Sequence, residues 1–561
     1  MKILLAACNA KYIHSNLAVY NLKSCSGEYS SRVVVKEYTI NQIRDDILKD
    51  IYLEQPDVVC FSCYIWNISF VRELVPDLKK ILPQVEFWAG GPEVSYDAVE
   101  FLKKNPAFFG VMVGEGEETF HELAGYYIER KPETLSGIRG VAFRDENKGR
   151  DIVHTGWREL MDLSKVPFAY SNLTEFKNRI IYYESSRGCP FSCSYCLSSI
   201  DKKLRFRDIE LVKKELQFFI DNKVPQVKFV DRTFNCKHDH AMEIWRYITE
   251  HDNGITNFHF EISADLLRAE ELALMKTMRP GLIQLEIGVQ STNPQTIKAI
   301  RRTMDFEKLK GIVEQIHSFG NIHQHLDLIA GLPYEGYDSF HKSFCDVYAL
   351  RPEQFQLGFL KVLKGSHMME MTGEYQILYK DREPYEVLST AWLTYREILR
   401  LKMVESMVEV YYNSGQFKNT LVFLEQYFDD PFRMYEALGR FYEKKGYSEI
   451  SHSRMRRYEI LMEFAGERKE IPAEALSDVM LLDLYLRENL KSRPSFASDQ
   501  KPYERLIWDY RKAKKIPKTA HIEVFRDGKT ILFDYTDRDP LTNNARLTDI
   551  TDEVNNNYGN V

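Results

Sequence analysis

The chain predicts an α/β protein: an amino-terminal doubly wound parallel sheet, a central partial βα barrel, and a carboxy-terminal helical domain ending in a β-hairpin. Three observations carry this. Short β-branched runs alternate with helix-length amphipathic stretches as far as about residue 363, apolar residues beyond about 369 fall only at three- and four-residue spacing, and an Asp-Gly pair separates two last strand-like runs. At 561 residues the chain has room for three or four domains. Boundaries read as 1–150, 170–368, 369–515 and 516–561.

In the first part, strands are predicted over Lys2 to Cys8, Val33 to Tyr38, Val58 to Cys63, Val85 to Ala89 and Gly110 to Val113, with helical patterns between them. Ligands of such sheets sit beyond the strands' carboxyl ends. At those ends stand Gly90-Gly91-Pro92-Glu93 and Gly114-Glu115-Gly116-Glu117, where glycine allows close approach of the backbone to a ligand. Cys60 and Cys63 form a CxxC, but at a buried strand end they read as core packing.

Composition narrows the function. Apolar residues make up 44% and charged residues 28%, the balance of a globular protein. The 75 basic against 82 acidic side chains leave a charge of -7, so neither nucleic acid nor a membrane surface is an expected partner. The apolar start is cut by Asn9 and Lys11, too early for a secretory signal. Nine cysteines, an odd number in a long chain, suit a reducing cytoplasm.

Three of those cysteines crowd into Cys189-Pro190-Phe191-Ser192-Cys193-Ser194-Tyr195-Cys196, directly after the strand Ile180 to Ser185. Thiolates at i, i+4 and i+7 can converge on one metal centre. A structural zinc wants four ligands, and Cys236 with His238 and His240 offers the only nearby supplement. Three thiolates suit a 4Fe-4S cluster with one iron left open. The segments that follow alternate helix and strand into a partial barrel of about six strands, whose site belongs at the strand carboxyl ends.

CxxxCxxC on a loop after a first strand resembles the signature of the radical S-adenosylmethionine superfamily. The resemblance implies that Cys189, Cys193 and Cys196 hold the cluster. It further implies that S-adenosylmethionine chelates the open iron and that an external one-electron donor such as flavodoxin or ferredoxin drives its cleavage to a 5′-deoxyadenosyl radical. Further segments match the family in order. They are Val230-Asp231-Arg232-Thr233-Phe234, Glu261-Ile262-Ser263-Ala264-Asp265, the ExGxQS stretch Glu286 to Ser291 and the Gly331-Leu332-Pro333 turn. Tyr195, Asp231, Ser263, Glu286, Gln290, Ser291, Arg301, Gly331 and Pro333 are the cofactor contacts it implies.

Substrate contacts are expected from Asp231, Glu261 and Asp265 as acceptors, and from His323 and His325, which alternate on one strand and share a face. Helices read over Ala391 to Val410, Thr420 to Phe428, Pro431 to Lys444, Ser451 to Phe464 and Ala473 to Leu490. The loop carrying Tyr411, Tyr412 and Gln416 is the expected lid over the barrel mouth. The basic run Arg511 to Lys518 reads as a solvated linker. Asp527-Gly528 marks the hairpin.

The first domain resembles the cobalamin-binding-type domain that precedes many radical enzymes. Domains of the methionine synthase sort carry Asp-x-His-x-x-Gly; here Tyr12-Ile13-His14-Ser15-Asn16-Leu17 keeps the His and replaces the acid and the glycine. His14 then lacks an obvious group to orient it. The expectation is the fold without a requirement for cobalamin. The three-part layout resembles the queuine lyase type, so a lyase acting on queuine, a small planar base, is the leading expectation. The alternative is a cobalamin-dependent radical methyltransferase acting on an unactivated carbon. A zinc-stabilised binding protein, a third class, leaves the ExGxQS and Gly-Leu-Pro segments unexplained.

Overall fold

The computed structural model describes all residues except 130–134, 146–148, 201 and 559–561. The first sheet contains β1 (Ile3–Asn9), β2 (Val33–Thr39), β3 (Val58–Ser62), β4 (Glu86–Gly90), β5 (Gly110–Met112), β6 (Val141–Asp145) and β7 (Asp151–His154), in the order β2-β1-β3-β4-β5-β6-β7. The first five are parallel, with Ile3 opposite both Val33 and Val58. Every residue of β1 is buried, as expected of a central strand covered by helices on both faces. β6 and β7 add on antiparallel, which the strand-helix alternation did not forecast. β7 is an edge strand with no fully buried residue, so it carries little apolar signal.

The second sheet is β8 (Ile181–Tyr183), β11 (Gln226–Phe229), β12 (Asn257–Ile262), β13 (Ile283–Gln290), β14 (His323–Ala330) and β15 (Gln354–Phe359), all parallel and neighbouring in chain order. Between β8 and β11 a short antiparallel pair, β9 (Ser186–Arg187) and β10 (Arg205–Phe206), braces the cysteine loop. β13 shows how the partial barrel is built. Ile283, Leu285, Ile287 and Val289 are buried, while Gln284, Glu286, Gly288 and Gln290 alternate with them toward the concave side. Closed βα barrels fill that side with branched apolar residues; here it carries Lys228, Glu261, Glu286 and Asp327.

The extension opens with a small hairpin, β16 (Leu378–Tyr379) and β17 (Val387–Ser389), followed by helices Tyr395–Met407, Lys418–Glu425, Pro431–Lys445, Arg454–Gly466 and Ala473–Arg487. It packs sideways on the last barrel strand. The Asn413 amide both accepts from the Phe355 N–H and donates to the Phe355 carbonyl, each at 2.9 Å, covering the open edge of β15. Tyr337 donates to Glu436 at 2.5 Å and Tyr348 to Glu425 at 2.6 Å, tying the helix Tyr337–Tyr348 to the extension. The terminal hairpin gains a third strand: β18 (His521–Val524), β19 (Thr530–Arg538) and β20 (Ala545–Asp549) form one antiparallel sheet. Among the described residues no helix is long and apolar enough to cross a membrane.

Candidate active site between two parallel sheets

The chain leaves β9, turns at Gly188 (φ 96°) and lays Cys189, Cys193 and Cys196 along one wall of a cavity of about 190 Å³. Cys189 and Cys193 are buried and Cys196 half-buried. Opposite them lie Ser263, Glu286, Gln290 and Asp327 at the strand ends. Gln290 follows a register shift in β13 and holds φ 72°, a left-handed backbone that costs energy in a non-glycine residue and is typical of sites where aim matters. Gly288 makes room for its amide, which would collide with any Cβ there.

The basic residue of this cavity is Arg302, not Arg301. The helix Pro294–Ala299 ends at Ile300, and Arg301 takes φ 54° and is exposed, so the next side chain turns inward. Arg302 Nη1 lies 3.3 Å from the Tyr195 hydroxyl and 3.8 Å from Cys193 Sγ, and the other Nη donates to the Gly288 carbonyl. Sequence reasoning missed Arg302 because a helix end shifts side-chain direction by one position, which spacing does not show.

Several other expected contacts turn out to be struts. Asp231 is completely buried and accepts from the Ser185 N–H (2.9 Å), the Ser185 hydroxyl (2.7 Å) and the Ser186 hydroxyl (2.6 Å); burial pushes it up to about 6. Asp265 accepts from the Ser263 hydroxyl at 2.6 Å. Ser291 donates to the buried Glu335 at 2.6 Å. Gly331 (φ 89°) packs on Val387, and Pro333 is buried in the same turn. Glu261 does line the cluster cavity, and burial pushes it up to about 7. His325 and Asp327 lie 2.9 Å apart on β14, with His323 two residues before His325 on the same face. Glu286 meets Lys228 (2.9 Å) and His259 (3.1 Å), two residues that attention to strand ends alone overlooked. Their parity on β11 and β12 was the available signal.

The extension does not roof this cavity. Tyr411 is buried with its hydroxyl 2.6 Å from that of Tyr442, and Tyr412 donates to the Pro352 carbonyl at 2.5 Å. Gln416 offers its backbone carbonyl to Tyr458 at 2.7 Å. These rings pack into the core that the extension shares with the barrel, so the expected lid loop is an internal joint. Cys236, His238 and His240 do not converge either: His238 lies 3.0 Å from Glu271, and His240 lies 3.0 Å from the Ser185 hydroxyl.

A cavity of about 660 Å³ opens between the carboxyl ends of the two sheets. Asn9, His14, Asn16, Tyr64 and Trp66 face it from the first sheet, and Tyr182, Glu184, Arg187 and Arg232 from the second. His14 is oriented from the other domain, its Nδ1 2.7 Å from the Tyr182 hydroxyl, which supplies the partner missing from its own loop. Arg187 bridges the domains through Glu115 (3.1 Å) and Glu117 (2.7 Å) and is braced within its own domain by Glu184 (2.7 Å). A third cavity of about 360 Å³, lined by Leu5, Cys60, Gly90, Gly91, Met112, Gly114 and Gly116, runs down between the strand ends. It shares Tyr64, Glu117 and Arg187 with the large cavity, which in turn shares Ser198 and Arg232 with the cluster cavity. At Gly91 (φ 107°) the missing side chain admits protein, since a Cβ there would lie 2.5 Å from the Cys63 carbonyl oxygen.

Three family models match in succession: the B12 binding domain over residues 3–124, the radical SAM superfamily over 183–344, and a protein of unknown function (DUF4080) over 373–540. Residues 3–124 thus carry a B12 binding domain and residues 183–344 a radical SAM domain. The chain is 26% identical over 304 residues to the cobalamin-dependent radical SAM methyltransferase TokK of Streptomyces tokunonensis, a match covering 51% of this chain and 44% of that protein. It spans about half the length of the curated relatives it matches. The fold is similar to that of the cobalamin-dependent S-adenosylmethionine radical enzyme OxsB, with TM-score 0.59 at 16% identity over 92% of this chain and 82% of that one. It is also similar to the radical S-adenosylmethionine methyltransferase TsrM of Kitasatospora setae, with TM-score 0.56 at 17% identity over 69% and 82%.

The residues of the chain fit these cofactors. Three thiols and no fourth on one cavity wall suit a 4Fe-4S cluster whose open iron takes S-adenosylmethionine. The glycine-lined cavity at the strand ends of the first sheet, next to the larger chamber, suits a bulky planar cofactor with a tail, as a B12 binding domain requires.

Proposed function

We propose that this chain is a cobalamin-dependent radical methyltransferase acting on an unactivated carbon of a small molecule held between the two sheets. One observation carries the reading: the chamber between the strand ends adjoins the cluster cavity at Ser198 and Arg232 and the glycine-lined slot at Tyr64, Glu117 and Arg187. A substrate there would sit between the two cofactors. Bound in their cavities, the cluster with S-adenosylmethionine supplies radical chemistry and cobalamin supplies a methyl group. The protein's part is positional. Arg187 fixes one domain against the other, His14 and Tyr182 close the seam, and the aromatic pair Tyr64 and Trp66, stacked at 4.3 Å, lines one wall of the chamber. An external one-electron donor and a soluble small-molecule substrate belong to the same reading.

The queuine lyase reading leaned on Tyr411, Tyr412 and Gln416 as a lid, and those residues lie in the joint beside β15. The experiment that separates the two uses the chain reconstituted anaerobically with iron, sulfide and cobalamin. It is given S-adenosylmethionine bearing a trideuterated methyl group and a metabolite panel that includes queuine. Methyl transfer yields 5′-deoxyadenosine, S-adenosylhomocysteine and a product carrying the label. 5′-Deoxyadenosine without S-adenosylhomocysteine, with an unlabelled fragment of queuine, would overturn the proposal in favour of the lyase.

A further inference from the structure

The floor of the barrel, where Glu286 and Asp327 also line the cluster cavity, carries a further group of converging side chains. One oxygen of Glu286, His325 Nε2 and one oxygen of Asp327 all lie within 4.8 Å of one another. Glu286 and His325 are direct partners across β13 and β14, and Asp327 follows His325 on the same face. His325 is 6% exposed. Its Nε2 and Asp327 Oδ1 are both out of reach of water and lack an aligned hydrogen bond, although they stand only 2.9 Å apart. Buried polar atoms at that separation are normally either bonded to each other or aimed at something else. Two donor atoms held by one ion at about 2.1 Å stand roughly 3.0 to 3.4 Å apart in octahedral or tetrahedral geometry.

We propose that Glu286, His325 and Asp327 form a site for a first-row divalent metal ion, separate from the iron-sulfur cluster. The surroundings agree with that assignment. Lys228 donates to Glu286 Oε2 at 2.9 Å and His259 Nε2 lies 3.1 Å from the same oxygen, leaving Oε1 for an ion, with Lys228 holding the carboxylate as an outer partner of a metal ligand does. One imidazole and two carboxylates suit Mn²⁺, Fe²⁺ or Zn²⁺. Three protein ligands leave open positions, and because Glu286 and Asp327 line the cluster cavity, those positions face it. The ion is thereby placed to hold a hydroxyl or carbonyl oxygen of a substrate reaching into the barrel. The site is independent of the methyl-transfer reading, and so is its test.

The test uses the cluster-reconstituted chain with the cluster in its EPR-silent resting state, titrated with Mn²⁺ while free Mn²⁺ is read by EPR. Expected is one bound Mn²⁺ per chain, showing coupling to a single histidine nitrogen in pulsed EPR and competed by Zn²⁺. Asp327→Asn and His325→Gln, which preserve volume, should each weaken binding at least about 10-fold with iron content unchanged. A second group, His341, Cys345 and Asp430, also has ligand atoms within 4.8 Å of one another, so the double variant His341→Ala, Cys345→Ser serves as the control and should bind Mn²⁺ normally. No bound Mn²⁺ or Zn²⁺ beyond the cluster iron would overturn the proposal. So would bound Mn²⁺ without nitrogen coupling, or binding lost in the control and kept in Asp327→Asn.

Discussion

Arg302 places a positive charge against a cluster ligand, and its removal should be legible as a reduction potential. Its Nη1 lies 3.8 Å from Cys193 Sγ. The electron added on reduction spreads over the cluster, so the relevant separation is roughly 6 Å; with an effective dielectric of about 20, Coulomb's law gives about 3 kcal/mol. For a one-electron couple that corresponds to about 120 mV. Arg302→Gln keeps a donor for the Gly288 carbonyl and removes the charge, so the reconstituted cluster should become harder to reduce by up to about that amount. Arg302→Lys, with a shorter reach but the same charge, should recover most of it. The assay is an EPR-monitored redox titration without S-adenosylmethionine, on protein of equal iron content. A potential in Arg302→Gln within about 20 mV of the parent would refute the electrostatic reasoning and reduce Arg302 to a packing residue.

Three further outcomes follow. Burial pushes Glu335 up to about 7, so the folded state holds its proton more tightly than the unfolded chain; that stability is complete below about pH 4.5 and is lost as pH rises through 7. Glu335→Gln, which keeps an acceptor for Ser291 and Ser343, should therefore flatten the pH profile of chemical unfolding and be more stable at pH 8 by up to about 3 kcal/mol; a profile parallel to the parent's would count against this. Arg187→Ala leaves Glu117, 6% exposed, without its guanidinium and should cost about 3 to 5 kcal/mol, read as a lower melting temperature and faster proteolysis between residues 155 and 180. Removing residues from 370 onward should give insoluble protein, because the barrel and the extension share one apolar core; a soluble fragment with native circular dichroism would contradict that.

What could be read from sequence divides by the kind of physics involved. The all-apolar run of β1, the alternation in β13 and the Asp527-Gly528 turn announce themselves because each is a local pattern with a local cause. The cysteine loop is equally legible, since three thiols at that spacing have few other uses. Direction is the harder quantity. Arg301 and Arg302 are adjacent, and only the left-handed turn at Arg301 decides which one meets Cys193. Tyr411 and Tyr412 have the composition of a ligand-stacking loop, and only tertiary packing shows that their rings are spent on Tyr442 and on the Pro352 carbonyl. His14 lost its sequence-local acid and gained Tyr182 from 168 residues away, a replacement no local pattern can show.

The position of the extension explains where the chemistry is housed. A partial barrel leaves two openings, a lateral one along the unpaired edge of its last strand and an axial one at the strand carboxyl ends. Here Asn413 takes the backbone groups of Phe355, and the helix Tyr337–Tyr348 is tied to Glu425 and Glu436, so the helices of the extension cover the lateral opening, while its leading hairpin reaches the first domain through Tyr385 with Glu93 and Glu383 with Ser69. The axial opening falls to the first sheet. Its closure rests on Arg187 with Glu115 and Glu117, Arg205 with Glu115, Arg179 with Glu37, Lys364 with Glu93, and the His14 turn against Ile180 and Tyr182. Arg187 is two residues before Cys189, and Glu115 and Glu117 belong to the turn lining the slot, so one side chain joins the loop that carries the cluster ligands to the loop that would cradle the second cofactor. A substrate entering between the domains at this point would pass beside that clamp, so entry by the seam would depend on Arg187 and its carboxylate partners.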